Sequence, residues 1–233
     1  FKAIKESSIL MITPILNPSG WDYHPDDRNW IVNTCKENDV IIIADEVYLD
    51  SKKRKEDYVP FHKLGEHCIS INSLTKIYSL GTIRFGWIIA SPEIAEQARR
   101  AFITLGGMMG SPVLRIADSI FPHLDIVLDK LEQYREQNLP LLRELLKKFK
   151  ITWNEPSYGI FGSFRLPHGI DSMEFVDQEC KKFGVLLVPG NMFDDGLKDW
   201  VRIAWSIETK LFQEAIINLE KDLFLAISKK TSQ

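Results

Sequence analysis

The sequence predicts an α/β fold: a mostly parallel sheet flanked by helices, followed by a smaller C-terminal α/β domain. Three observations carry this. Val40 to Ala44 is β-branched and apolar on both faces, as a strand covered by helices on both sides must be. Comparable runs, Ser8 to Thr13 and Cys68 to Asn72, are separated by a stretch with helical spacing and helix-start signals. Each run is followed by a cluster of polar residues, the position at which open α/β sheets bind ligands.

Taken in order, Ser8 to Thr13 (SILMIT) reads as a strand stopped by Pro14. Residues 25–38 place Pro25 at a first helical position, then acids, then apolar residues at helical spacing. Val40 to Ala44 and Cys68 to Asn72 are the second and third strands. Phe85 to Ala90 is a fourth, and the loop before it is too short for a helical crossover. It is therefore expected antiparallel to its neighbour. Ser91-Pro92-Glu93 opens one helix and Ser111-Pro112 another. Residues 123–150 have a long helical pattern that Pro140 is expected to kink or split. The smaller unit is expected to hold strands near 151–153, 160–166, 185–188 and 200–205. Asp171 with Glu174 resembles a capping box opening a helix that ends at Gly184, and a last helix starts near 208. The domain boundary falls in the long helix, giving residues 1–140 and 141–233.

Composition narrows the function. The chain has 233 residues, 45% of them hydrophobic, enough for one large domain or two small ones. A charged fraction of 26% and a net charge of −3 offer no basic face for nucleic acid and no polybasic membrane anchor. No segment approaches the roughly 20 apolar residues of a membrane span. Cys35, Cys68 and Cys180 are scattered and form no CxxC pair, which fits a reducing, cytoplasmic setting. They read as small buried hydrophobes, and no metal site is expected.

The polar residues after the strands are Asn17-Pro18-Ser19-Gly20, then Asp45 to Tyr48, then Ser73, Thr75 and Lys76, with Arg84 close behind. If the strands are parallel neighbours, all converge on one rim. A lysine near apolar walls and a second cation loses part of its preference for the charged form, and a neutral amine attacks carbonyls. Asp45, at the end of a buried strand, needs a cationic partner. Arg84 with the Ser73 and Thr75 hydroxyls suits a phosphate dianion. Asn17 and Tyr48 can donate to a phenolic oxygen. Together these groups match the aldehyde, ring nitrogen, ring oxygen and phosphate of pyridoxal 5′-phosphate. Each also has an ordinary reading alone: a turn acid, a turn sequence, a solvated lysine, a surface arginine. Their order after these strands is what singles them out.

The words NPSG (17–20), ADEVY (44–48), SLTK (73–76), IRFGW (83–87), VPG (188–190) and VRIAW (201–205) resemble the class I/II aminotransferases, within the fold-type I pyridoxal-phosphate enzymes. The resemblance implies the large-domain sheet of that fold and a smaller C-terminal domain. It implies Lys76 as the Schiff-base lysine and Asp45 as partner of the pyridinium nitrogen. Asn17 and Tyr48 would bind the ring oxygen, and Ser73 or Thr75 with Arg84 the phosphate. Arg202 matches the arginine that clamps the substrate α-carboxylate, with Asn17 also on the substrate side. The implied activity moves an amino group between an L-amino acid and a 2-oxo acid, with Lys76 as the base at Cα, in a cytoplasmic homodimer.

Two departures stand out. Ser79 and Thr82 occupy loop positions where family members often have glycine. The chain also starts just upstream of the strand leading to NPSG, where family members have a long preceding part. The expectation is a fragment with unpaired sheet edges, weak cofactor binding and little activity. Two other readings stay open: another fold-type I enzyme, such as a C–S lyase or an acyl-condensing synthase, and a non-enzymatic aminotransferase-like sensor domain.

Overall fold

The computed structural model describes residues 2–52 and 58–231. The chain forms two compact units, Phe1–Ile15 with Asp22–Asp129, and Leu16–Trp21 with Lys130–Gln233.

In the first unit a short helix α1 (Lys2–Lys5) leads to β1 (Ile9–Ile12). Then come α2 (Pro25–Glu37), β2 (Ile41–Asp45), β3 (Cys68–Ser73) and β4 (Gly86–Ile89). The sheet order is β1-β2-β3-β4; the first three strands are parallel and β4 runs antiparallel to β3, as its short connection requires. Helix α2 begins as the sequence dictates, with Pro25 in the first turn and Asp26 and Asp27 at the positive end of the helix dipole. Val32 and Cys35 from α2 pack with Val40, Ile42, Ala44, Phe61 and Cys68 as the core under one sheet face. After β4 come α3 (Pro92–Gly106), α4 (Ser111–Ile120) and α5 (Leu124–Lys148). Ser91 holds the N-cap position of α3, but its side chain makes no capping hydrogen bond.

Pro140 does not split α5, which is continuous from Leu124 to Lys148. Packing outweighs the lost backbone bond. Leu139, Leu142, Leu145 and Leu146 are all buried in one core, and Asn138 Nδ2 donates to the carbonyls of Trp205 and Ile207 at 2.8 and 2.9 Å. Glu136, whose carbonyl Pro140 leaves without a helical donor, lies on the exposed side where water can serve it.

The second unit has β5 (Phe161–Arg165), α6 (Ser172–Glu174), β6 (Val188–Pro189), β7 (Trp200–Ala204) and α7 (Thr209–Thr231). Its sheet is antiparallel in the order β5-β7-β6. Asp171 caps α6 by accepting from Met173 N and Glu174 N at 2.9 and 3.0 Å. The helical path continues through a π turn and a 3-10 turn to Phe183, and Gly184 leaves it at φ +75°. The strand expected near 151–153 is not formed. Ile151 N donates to Leu146 O, closing α5, and the Trp153 ring lies edge-on to Trp205 at 6.2 Å, so packing holds the segment in place of a ladder. The strand expected near 185–188 shrinks to the two residues of β6. All three cysteines are buried, and none is in a disulfide.

Candidate functional site

Six of the eight residues singled out in the sequence lie in the first unit, on strands and turns that meet at one sheet edge. The register aligns Ile12 with Ala44, Asp45 with Ile71 and Ser73 with Gly86. The carboxyl ends of β1, β2 and β3 therefore share an edge with the amino end of β4.

Asp45 closes β2. Its Oδ1 accepts from Val47 N at 3.2 Å and turns the chain out of the sheet. Glu46 N adds one more ladder bond, to Ile71 O at 2.8 Å. Strand alternation sends Asp45 and Glu46 to opposite faces. Glu46 is only 4% exposed. Burial pushes its carboxyl up to about 7, and the charges of Asp50 and Asp45 add to this against hydrogen bonds from Phe61 N and Ser70. Tyr48 is buried just before a single 3-10 turn, Leu49–Lys52.

Ser73 closes β3, and its Oγ accepts from Thr75 N at 3.2 Å. Leu74 N donates to Phe85 O at 3.0 Å, and Leu80 N to Leu74 O at 2.9 Å. Buried Leu74 and Ile77 pin this turn on both sides of Lys76, which stays exposed. Among the described residues Lys76 Nζ has no hydrogen-bond or ion-pair partner. Arg84 sits in the left-handed region at φ +56°, is exposed, and has Nη1 on Gly81 O at 3.3 Å.

The other two residues lie together in the second unit. Arg202, on the central strand β7, donates from Nη1 to Asn17 Oδ1 at 2.9 Å. Its guanidinium is 5.2 Å from the Phe161 ring centroid and 5.3 Å from that of Phe193, cation–π distances on both flanks. The 16–21 turn presents Asn17 through three bonds: Gly20 N to Leu16 O and Leu16 N to Trp21 O, both 2.7 Å, and Trp21 Nε1 to Asn154 O at 3.0 Å. Gly20 has φ +74°, and a Cβ there would stand 2.4 Å from Phe161 O. Only glycine allows this approach.

Sequence reasoning missed a buried polar network behind the edge. Asp50 Oδ1 accepts from Tyr58 Oη at 2.6 Å. Its Oδ2 accepts from Tyr78 Oη at 2.6 Å and from Asn72 Nδ2 at 2.8 Å. Burial and the Asp50 carboxylate raise both phenols, which keeps them as donors. Lys52, also buried, pairs with Asp22. In sequence, Asp50 looks like any turn acid, and nothing in its spacing marks it as a hub.

The donor set at the sheet edge fits pyridoxal 5′-phosphate. It offers an exposed primary amine on a pinned turn, a carboxylate whose Oδ2 is left for a cationic ring nitrogen, and a guanidinium. The Ser73 hydroxyl also keeps its proton for a phosphate oxygen, because its own oxygen serves Thr75 N.

The family model for aminotransferase class I and II matches residues 2–219. The chain belongs to the class I and II aminotransferases, and the cofactor is pyridoxal 5′-phosphate. The LL-diaminopimelate aminotransferase of Maridesulfovibrio salexigens is 23% identical over 88% of this chain and 54% of its own length. The aromatic-amino-acid aminotransferase 1 of Thermococcus litoralis is 26% identical over 81% of this chain and 46% of its own. A PLP-dependent aminotransferase structure from Streptococcus suis superposes with a TM-score of 0.85, at 23% identity, covering 96% of this chain and 60% of that one. A C–S lyase from Staphylococcus hominis shares the fold at a TM-score of 0.81 and 19% identity, with the same coverage. The chain thus spans about half the length of the curated relatives it matches. The fold is that of the fold-type I enzymes, a mostly parallel sheet flanked by helices.

Proposed function

We propose that the protein is a pyridoxal-phosphate-dependent aminotransferase that moves an amino group between an L-amino acid and a 2-oxo acid. The observation that carries this is the common edge shared by Asp45, Ser73, Thr75, Lys76 and Arg84. When bound, pyridoxal phosphate supplies an aldehyde that takes up amines and a cationic ring that draws electrons from the substrate Cα–H bond. Lys76 Nζ would hold the aldehyde carbon and, as a free amine, would take up the proton from the substrate Cα. The Asp45 carboxylate, half-buried at its strand end, would keep the ring nitrogen protonated. Arg84 and the Ser73 and Thr75 hydroxyls would hold the phosphate; by the family resemblance, Tyr48 and Asn17 would donate to the ring oxygen. Arg202, oriented by Asn17 and flanked by two rings that thin out water, takes the substrate carboxylate in a two-pronged pair.

The same reading includes residues 1–140 as cofactor domain and 141–233 as small domain, a cytoplasmic location and a homodimer. Borohydride reduction with added cofactor, followed by peptide mass mapping, tests it. A label on Lys76 is expected, and a label elsewhere, or none even with the full-length protein, would overturn the assignment. The shared fold of the C–S lyase supports a second reading, lyase chemistry on the same residues. Formation of 2-oxo acid from a second amino donor, against release of pyruvate and ammonia, separates the two.

A further inference from the structure

We propose that Asp50 is a positioning residue that fixes the Lys76 turn against the Asp45–Tyr48 turn. What it positions rests on the aminotransferase reading; that it joins the two turns rests on geometry alone. Asp50 lies in the 3-10 turn directly after Tyr48. That turn is tied to the end of β2 through Leu49 N to Glu46 O at 2.9 Å and Ser51 Oγ to Tyr48 O at 2.8 Å. From Asp50 Oδ2 two links reach the other turn. One runs through Asn72 Nδ2; the Oδ1 of the same amide accepts from Ser73 N at 2.7 Å, and Ser73 Oγ accepts from Thr75 N. The other is the phenol of Tyr78, two residues past Lys76. Lys76 is thus bracketed on both sides by residues bonded to one carboxylate oxygen. The Asp50–Asn72 and Asp50–Tyr78 bonds are buried, so losing either leaves a donor or acceptor without water. The third partner, Tyr58 on Oδ1, leads to neither turn and serves as an internal control.

The tyrosine pair makes the test. Tyr78→Phe and Tyr58→Phe each remove one phenol–carboxylate bond from the same hub, so both lower Tm. Without cofactor, Tyr78→Phe is expected to speed amide exchange in peptides covering 73–80 by roughly tenfold, and Tyr58→Phe to leave them unchanged. With pyridoxal 5′-phosphate added, Tyr78→Phe and Asp50→Asn should weaken cofactor binding roughly tenfold and shift the pH midpoint of the Lys76-linked visible band. Tyr58→Phe should move neither. Asp50→Glu, which retains the charge, should restore part of the loss. Equal changes in 73–80 exchange and in cofactor binding from the two tyrosine variants, or none from either, overturn the proposal and leave Asp50 a packing residue. Should Asp50→Asn not fold, the tyrosine pair decides alone. A parent protein with no Lys76-linked band would sink the aminotransferase reading, while the exchange data would still decide whether Asp50 joins the turns.

Discussion

In the second unit twenty buried residues, from Leu139 to Ala226, form one apolar core around Phe164, Trp205 and Phe212. In the first, the core under the sheet has eight such residues, and helix α3 has none of its residues buried. There three ionisable side chains, Glu46, Asp50 and Lys52, are buried within seven positions of each other just past β2, whereas the buried carboxylates of the second unit, Asp199 and Asp222, stand far apart in the chain. The contrast teaches that the two units hold their candidate site residues by different physics. Arg202 and Asn17 stand on a scaffold set by close packing. The residues around Lys76 are held by a polar network whose strength depends on protonation and on each bond being made.

The largest expected effect is in the apolar core. Phe164→Ala should destabilise the second unit by about 3–5 kcal/mol, read by denaturant titration with amide exchange resolved for each unit. Equal loosening of the first unit would break the contrast. Next is pH. The Glu46 carboxyl is raised in the folded state to about 7 from an ordinary 4.5, so the folded chain binds a proton more tightly than the unfolded one. The Glu46 contribution to stability is then greatest below pH 4.5, falls as pH rises from there to about 7, and levels off above. The span is roughly 3 kcal/mol. Glu46→Gln should flatten that part of the profile, and a variant with the parent slope would show that the slope comes from elsewhere. Gly20→Ala should cost roughly 1–3 kcal/mol from a forced left-handed backbone and the contact with Phe161 O, and should weaken the Asn17–Arg202 pair. Calorimetry measures the first and carboxylate-ligand titration the second. Smallest in stability is Met11→Lys. Met11 is 72% exposed on edge strand β1, so the change should stay within about 0.5 kcal/mol while lowering light scattering at high concentration.

Strand positions were legible where burial is two-sided. The run 40–44 could only be an inner strand, and the short loop before Phe85 already required the antiparallel turn of β4. A kink or split at Pro140 is what local propensity predicts, because propensity says nothing of the core that receives Leu139, Leu142, Leu145 and Leu146 of α5. The strand near 151–153 was misjudged because Trp153 is β-favourable by type but packs on Trp205. At the candidate site, Asp45, Lys76 and Arg84 could be found because they end or flank strands. Asp50, Tyr58 and Tyr78 could not, because their link is a buried carboxylate shared across 28 positions of chain, from Asp50 to Tyr78.

The antiparallel return of β4 also makes the 77–83 loop a ruler. Its length limits how far Arg84 can stand from Lys76. Because side chains in β4 alternate, adding one residue to the loop and sliding the strand by one position would exchange its faces. Trp87, now edge-on to Phe121 at 5.1 Å, would trade places with Ile88. Under the proposed function the two cations must span one small molecule of fixed size. Loops elsewhere in the chain can lengthen at small entropic cost, but this one is held to a single count of residues.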